Sequence, residues 1–407
     1  MLAARIILLG LLAILLWYCL GYLPTSELAD FSVYREAAGA LLRGEDIYGQ
    51  GFRVSQRAAQ LSLGYLYPPL LAVVLSWGEA FLPGGVPLLW CAMLLLAVLL
   101  SAIILARLVF AFEHHSPSVS WWRQCPSVWA MVFLLAWPPL WDGLMWGQVN
   151  PFVLLAILGA SLSAAQGRPA IAGALIAVAA ALKATPAILL LPFIMQRTRP
   201  GIVGFGITAV LSVLLCLLSP RGFEVLFDFS RALSQFAAQP LSIDPFYDYG
   251  IEKLVGNGPA KLVGVLFVGF YGAGLFLVQR SKQIPESRKL AFGIVMGVPI
   301  MVLLSPCIWF HHLLWLVPPL TLCFIAWGRS EQLRFYPVPV LSFLGSVLGL
   351  SLYLHVIARH HLGAGETTMK ALVPVLIFAV FGCLTAPLLV ALCCGPKEKG
   401  SVGRAHP

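Results

Sequence analysis

The sequence predicts an all-α polytopic membrane protein, a bundle of about twelve transmembrane helices (about ten to thirteen), and three observations carry that reading. Of 407 residues, 60% are hydrophobic and 11% charged, against ~45–50% apolar and ~25% charged in a soluble domain. Apolar runs near the ~20 residues needed to cross a ~30 Å hydrocarbon core recur from end to end. The basic residues between those runs sort to one side. The net charge of +9 comes from Lys and Arg scattered singly, with no basic tract, so no nucleic-acid partner is indicated. The nine cysteines form no CxxC spacing and give no disulfide or metal framework.

Taken in order, the spans fall near 4–23, 86–110, 127–142, 150–166, 169–184, 186–197, 201–219, 259–279, 289–305, 308–327, 335–354 and 370–394. The first has Arg5 followed by an apolar run too long for a signal peptide and without an A-x-A site, so it reads as an uncleaved span. With both termini cytoplasmic, the inner connections carry Arg107, Arg123, Arg168, Arg197, Arg199, Arg280, Lys282, Arg288, Lys289, Arg329, Arg334, Lys397, Lys399 and Arg404. Including Arg5, 15 basic and 4 acidic residues lie inside and 11 basic and 13 acidic outside, the asymmetry that sets orientation. This requires residues 67–82 to be re-entrant or surface-lying; as a span they would move Arg107 and Arg123 outside. Residues 1–394 form a single membrane domain, and 395–407 a short basic cytoplasmic tail.

Two outer loops are long, 24–85 and 220–258, and loops of that size are usually functional. In the first, Phe31, Tyr34, Ala38, Leu41 and Leu42 share one helical face, while Ser32, Arg35, Glu36 and Arg43 take the other. The pattern predicts an amphipathic helix in the interface, with a second from Arg53 to Leu63. Asp30 opens the first helix. It is the best candidate for a catalytic base, although its residue type alone favours an N-cap.

Three further outer segments carry chemistry. Asp142, Gln148 and Asn150 sit among Trp141, Trp146 and neighbouring apolar residues, a composition suited to sugar hydroxyls and ring faces, or to the interfacial Trp belt. Lys183 interrupts an apolar run beside Pro186. An ammonium there costs ~2.5–3.5 kcal/mol at the bilayer centre, so it needs a partner, binds phosphate as a point charge, or snorkels to the surface. His311 and His312 follow Ser305-Pro306. On a helix, adjacent side chains diverge by ~100°, so one of the two is expected to face Asp30, and phosphate or hydroxyl contact is favoured over a metal. The four clusters map to one membrane face.

The ordered motifs resemble glycosyltransferase family 87, the polyprenol-phosphate-mannose-dependent mannosyltransferases of the GT-C superfamily. The resemblance spans roughly residues 24–320. It rests on Asp30-Phe31-Ser32-Val33-Tyr34, Ala38-Gly39, Ile47-Tyr48, Tyr67-Pro68-Pro69, Gly147-Gln148-Val149-Asn150, Leu182-Lys183-Ala184-Thr185-Pro186, and Ser305-Pro306 with Trp309 and His311-His312. It implies a GT-C-like bundle in a bacterial inner or plasma membrane. The implied reaction is inverting transfer of a hexose, mannose in the family, from a polyprenyl-phosphate donor to a lipid or glycan acceptor on the extracytoplasmic face. Asp30 would be the base, and Lys183, His311, His312, Gln148, Asn150, Asp142 and Tyr34 would contact donor phosphate and sugar. No cofactor and no metal enter this scheme. One departure is Ile251-Glu252-Lys253-Leu254-Val255-Gly256-Asn257-Gly258-Pro259, where mycobacterial-type members carry an Asn-Gln-Ser-Leu-like motif. A transporter or lipid flippase is the main alternative and would place ionisable residues near the midplane of several spans; a non-catalytic envelope scaffold is a third reading.

Overall fold

The computed structural model describes residues 2–25, 28–48, 65–112, 126–238, 257–282, 284–305 and 310–322. Among these the ordered elements are all helical. Helix α1 (Leu2–Trp17) runs into a π turn, Tyr18–Tyr22, and a 3₁₀ turn, Leu23–Thr25. It is followed by α2 (Ala29–Leu42), α3 (Pro69–Phe81), α4 (Val86–Phe112), α5 (Pro126–Ala136) and α6 (Pro138–Met145). Then come α7 (Asn150–Ala165), α8 (Pro169–Leu182), a 3₁₀ stretch Thr185–Leu190, α9 (Leu191–Met195) and α10 (Arg199–Leu217). The last elements are α11 (Glu224–Ala238), α12 (Asn257–Arg280), α13 (Glu286–Leu303) and a 3₁₀ stretch Phe310–Leu316.

Three of these helices are long and apolar enough to cross a membrane: Leu2–Tyr22, Val86–Phe112 and Arg199–Leu217. On α10 the residues Ile207, Val210, Leu211 and Leu214 are exposed, as a lipid-facing surface requires. Several expected spans take another form: 150–166 and 169–184 form α7 and α8, of 16 and 14 residues against the ~20 of a full span, 308–327 opens as the 3₁₀ stretch Phe310–Leu316, and two more are interrupted at proline. The 127–142 run is broken into α5 and α6 by a 47° bend, because Pro138 and Pro139 supply no N–H and their rings exclude the preceding carbonyls; counted together the pair makes a fourth span. The 186–197 run is six residues of 3₁₀ helix and five of α-helix with Pro186 and Pro192 at their starts, ~20 Å in all, shorter than the ~30 Å of a hydrocarbon core. The expected spans 335–354 and 370–394, the second surface helix at 53–63 and the 395–407 tail lie outside the described residues.

Helix α7 is the centre of the core. Val153, Leu154, Ala156, Ile157, Leu158 and Ala160 are buried over more than half of its circumference, where α4, α8 and α13 pack against it. Helices α8 and α10 cross so closely that a Cβ at Gly173 would lie 1.9 Å from the Gly201 carbonyl oxygen. Small residues allow this approach, which supplies dispersion contacts where lipid removes the hydrophobic driving force. Helix α2 differs from the expected interfacial helix. Phe31, Val33, Tyr34, Ala37, Ala38, Ala40 and Leu41 are buried, whereas Leu42 is exposed, and the apolar face packs on α3, so protein covers it.

Candidate functional site

The site is assembled from helix ends, beginning with the first turn of α2. A helix leaves its first N–H groups without intrahelical acceptors. Here Leu28 stands at the cap position and makes no side-chain capping bond. The N–H groups of Asp30 and Phe31 instead donate to the Trp146 carbonyl, at 3.0 and 3.4 Å. The backbone of another segment thus does the capping, which corrects the expectation from residue type. The Asp30 carboxylate is left available and accepts a hydrogen bond from Gln148 Nε2.

That capping carbonyl is held by the end of α6. Gly147 N–H donates to Leu144 O at 3.0 Å and Gln148 N–H to Gly143 O at 2.8 Å, the paired bonds of a Schellman cap. Gly147 has φ +70°, and a Cβ there would lie 2.8 Å from Phe31 Cβ and 2.9 Å from Leu28 Cβ, so glycine is needed both for the left-handed turn and for contact with α2. Trp90 Nε1 donates to Gly147 O at 3.0 Å, and its ring stacks on Phe31 with centroids 5.0 Å apart. Gln148 is then locked: Tyr34 OH and Tyr67 OH each donate to its Oε1 at 3.1 Å.

Helix α8 stops at Lys183, whose backbone is extended. Its Nζ lies 3.4 Å from Asn150 Oδ1 and 2.5 Å from His312 Nε2, which requires that ring nitrogen to accept when the ammonium donates. The cation also lies 5.5 Å from the Tyr67 ring centre and 5.0 Å from that of Trp315, within cation–π range. His312 stacks flat on Trp315 at 5.1 Å, and Trp315 Nε1 donates to Asn150 O at 3.3 Å. Asn150 is fully buried, and among the described residues its Nδ2 has no hydrogen-bond partner.

On the other flank His311 Nδ1 sits 3.2 Å from Asp142 Oδ2, while Asp142 Oδ1 accepts from Trp146 Nε1 at 3.3 Å. The two histidine rings meet edge to face at 4.8 Å. They divide the work: His311 pairs with Asp142 and acts electrostatically on Asp30, and His312 engages Lys183. Both belong to one cluster, because the segment is a 3₁₀ turn with acidic and basic partners on either side. Helix α2 lies outside the spanning helices, and there burial pushes the Asp30 carboxyl above its ordinary range. His311, the Gln148 hydrogen bond and Lys183 pull it back, and Asp142 adds to the rise.

All eight residues singled out in the sequence therefore lie in one connected network. Tyr67 and Trp146 enter the sequence reading only as parts of their segments, and Trp90 and Trp315 not at all, yet all four bind or stack members of the network. For Trp315 the available signal was its place three residues after His312, whereas Trp90 lies within an apolar run beside none of the quoted motifs. Among the described residues no group of three or more His, Cys, Asp or Glu side chains is placed to hold a metal. Pro306 to Trp309 and residues 251–256 lie outside the described residues.

A model of glycosyltransferase family 87 matches residues 65–306. A polyprenol-phosphate-mannose-dependent alpha-(1-2)-phosphatidylinositol mannoside mannosyltransferase of Mycolicibacterium smegmatis is 26% identical over 78% of this chain and 74% of its own length. The protein of the same description from Mycobacterium tuberculosis is 24% identical over 82% of this chain and 77% of its own. Among solved structures, ArnT from Cupriavidus metallidurans, crystallised with undecaprenyl phosphate, overlays with a TM-score of 0.44 at 14% identity, covering 95% of this chain and 76% of that one.

Proposed function

The chain belongs to glycosyltransferase family 87, and from that premise we propose that it transfers mannose from a polyprenyl-phosphate donor to a lipid or glycan acceptor. Membership in a glycosyltransferase family sets aside the transporter and scaffold alternatives. The donor follows from the relatives, which are polyprenol-phosphate-mannose-dependent by name. The bundle of about twelve spans, the cytoplasmic termini and an active site on the extracytoplasmic face of the cell membrane belong to the same reading and rest on the distribution of Lys and Arg.

The observation that carries the reaction is the meeting of a carboxylate and a cation with buried donors in one network. In the reaction Asp30 takes the proton of the acceptor hydroxyl as its oxygen attacks the anomeric carbon. The bond from that carbon to the phosphate oxygen breaks, and its electron pair leaves with polyprenyl phosphate, inverting the centre. A positioned base contributes ~10²–10⁴ in rate. The charge that grows on the phosphate meets Lys183, which Asn150 Oδ1 and His312 Nε2 hold in place. Preorganised groups of this kind act more strongly where water is excluded. The rings of Tyr67 and Trp315 flank the cation; Trp315 is fully buried behind it, and the half-buried ring of Tyr67 provides an apolar wall for a sugar.

The test is transfer of labelled mannose from polyprenyl-phosphate-mannose into lipid-extractable or polymer products, in membranes carrying wild type or Asp30→Asn at equal abundance. Loss of transfer in the variant is expected. Full activity of Asp30→Asn would overturn the assignment of the base, and wild-type membranes no better than an empty-vector control would overturn the donor.

A further inference from the structure

We propose that Gln148 is a positioning residue for Asp30, with its amide held in the working orientation by the hydroxyls of Tyr34 and Tyr67. This rests on Asp30 being the base. The sequence places Gln148 among the sugar and phosphate contacts, but its polar atoms are committed to protein. The residue is 3% exposed; Nε2 donates to Asp30 Oδ2, and Oε1 receives both phenols at 3.1 Å.

The chemistry of the partners fixes which way the amide lies. A carboxylate only accepts, so the NH₂ group must face Asp30, and the oxygen then faces two hydroxyls that can both donate. Turning the amide over would set its oxygen against the carboxylate and its NH₂ against the phenols. The main chain fixes the other end, since Gln148 N–H is bound in the α6 cap and the adjacent carbonyl of Gly147 is held by Trp90. The bond to Gln148 therefore selects one direction for the Asp30 carboxylate and favours its ionised form. Other charged or titratable groups that act on Asp30 are His311 from the 3₁₀ stretch, Lys183 from the end of α8 and Asp142 from α6; Tyr34 is on α2 itself. None of these replaces the direct bond to Oδ2.

The variants are Gln148→Met, nearly isosteric without the amide, and Gln148→Glu, which sets a second carboxylate against the first. They are tested in purified full-length protein in liposomes, with polyprenyl-phosphate-mannose as donor and membrane lipid extract as acceptor, alongside Asp30→Asn. For Gln148→Met we expect kcat to fall about 10- to 100-fold, as for a misaligned reacting group, with the donor KM within about twofold. The acid limb of the pH profile moves to higher pH, so part of the loss is regained there; Gln148→Glu moves it further. Tyr67→Phe, which keeps the ring beside Lys183, lowers kcat in the wild type but adds nothing in Gln148→Met. A raised donor KM with unchanged kcat and profile would make Gln148 a substrate contact and overturn the proposal. If Gln148→Met fails to accumulate, the profile of Gln148→Glu decides: an unmoved acid limb overturns the proposal. Full activity of Asp30→Asn would instead remove the premise, whatever Gln148 does.

Discussion

Gly147→Ala tests the joint on which the network depends, and its effect separates into two parts. The first is conformational: φ is +70°, and an L-residue in that region costs ~1–2 kcal/mol. The second is steric, because the new methyl would lie 2.8 Å from Phe31 Cβ and 2.9 Å from Leu28 Cβ. Overpacking of this kind costs ~1–3 kcal/mol, which gives ~2–5 kcal/mol together. Gly44 is a matched control. It closes α2 with φ +73°, and a Cβ there would meet nothing within 4 Å, so Gly44→Ala carries only the ~1–2 kcal/mol conformational part. Thermal unfolding in detergent should rank wild type above Gly44→Ala and Gly44→Ala above Gly147→Ala. Mannose transfer by the folded protein should survive in Gly44→Ala and fall about 100-fold in Gly147→Ala, since the turn moves off α2 and takes Gln148 with it. Equal stability of the two alanine variants, with full transfer by Gly147→Ala, would refute the reasoning.

Four further predictions are independent of that joint. Because burial raises the Asp30 carboxyl, transfer should climb with pH through a midpoint above the ordinary ~3.9 of an aspartate; a midpoint at or below that value would contradict the environment described. The same shift acts on stability: the native state holds this proton to higher pH than the unfolded chain, so stability falls as pH rises from the unfolded value to the native one. Asp30→Asn should therefore unfold at a higher temperature than wild type at neutral pH, with the gap closing on acidification. Lys183→Met should reduce transfer by at least about 10-fold, as loss of a charge-stabilising group at the leaving phosphate does, measured with the same labelled donor. Arg197 has φ 53° at the end of α9, so Arg197→Gly should raise the unfolding midpoint by relieving ~1 kcal/mol of backbone strain, with transfer unchanged.

The residue types of the site were legible because each is expensive in an apolar chain. Lys183, His311 and His312 stand out in a sequence with so little charge, and their partners had to be polar residues from elsewhere. What the pattern could not give was the division of roles. Asp30 preceding an apolar helix has the local signature of a cap, and only the distant Trp146 carbonyl, which satisfies the same N–H groups, relieves it of that task. Gln148 among tryptophans has the composition of a sugar site, whereas its amide is taken up by Asp30 and two tyrosines. Helix boundaries were least legible at proline. Apolarity alone does not show that Pro138-Pro139 bends one run or that Pro186 and Pro192 shorten another, because hydropathy registers solvent preference and not the missing N–H.

The shortness of those helices and the position of the site have one cause. Helices α7 and α8, of 16 and 14 residues, reach only ~24 and ~21 Å, below the ~30 Å of a hydrocarbon core. Their ends expose backbone groups that lipid cannot satisfy, and such ends are tolerated at membrane depth only inside protein or against a polar cavity. Each end in the network has a polar occupant: Asn150 opens α7, Lys183 ends α8, Gln148 follows the cap of α6, and Asp30 lies in the first turn of α2. Glycine at 147 and proline at 151, 169 and 186 are thus determinants of the site as much as of the fold. Lengthening α8 by replacing Pro186 would extend apolar helix through Lys183 and turn its ammonium away from Asn150 and His312, so transfer would be lost even in a protein that inserts and folds.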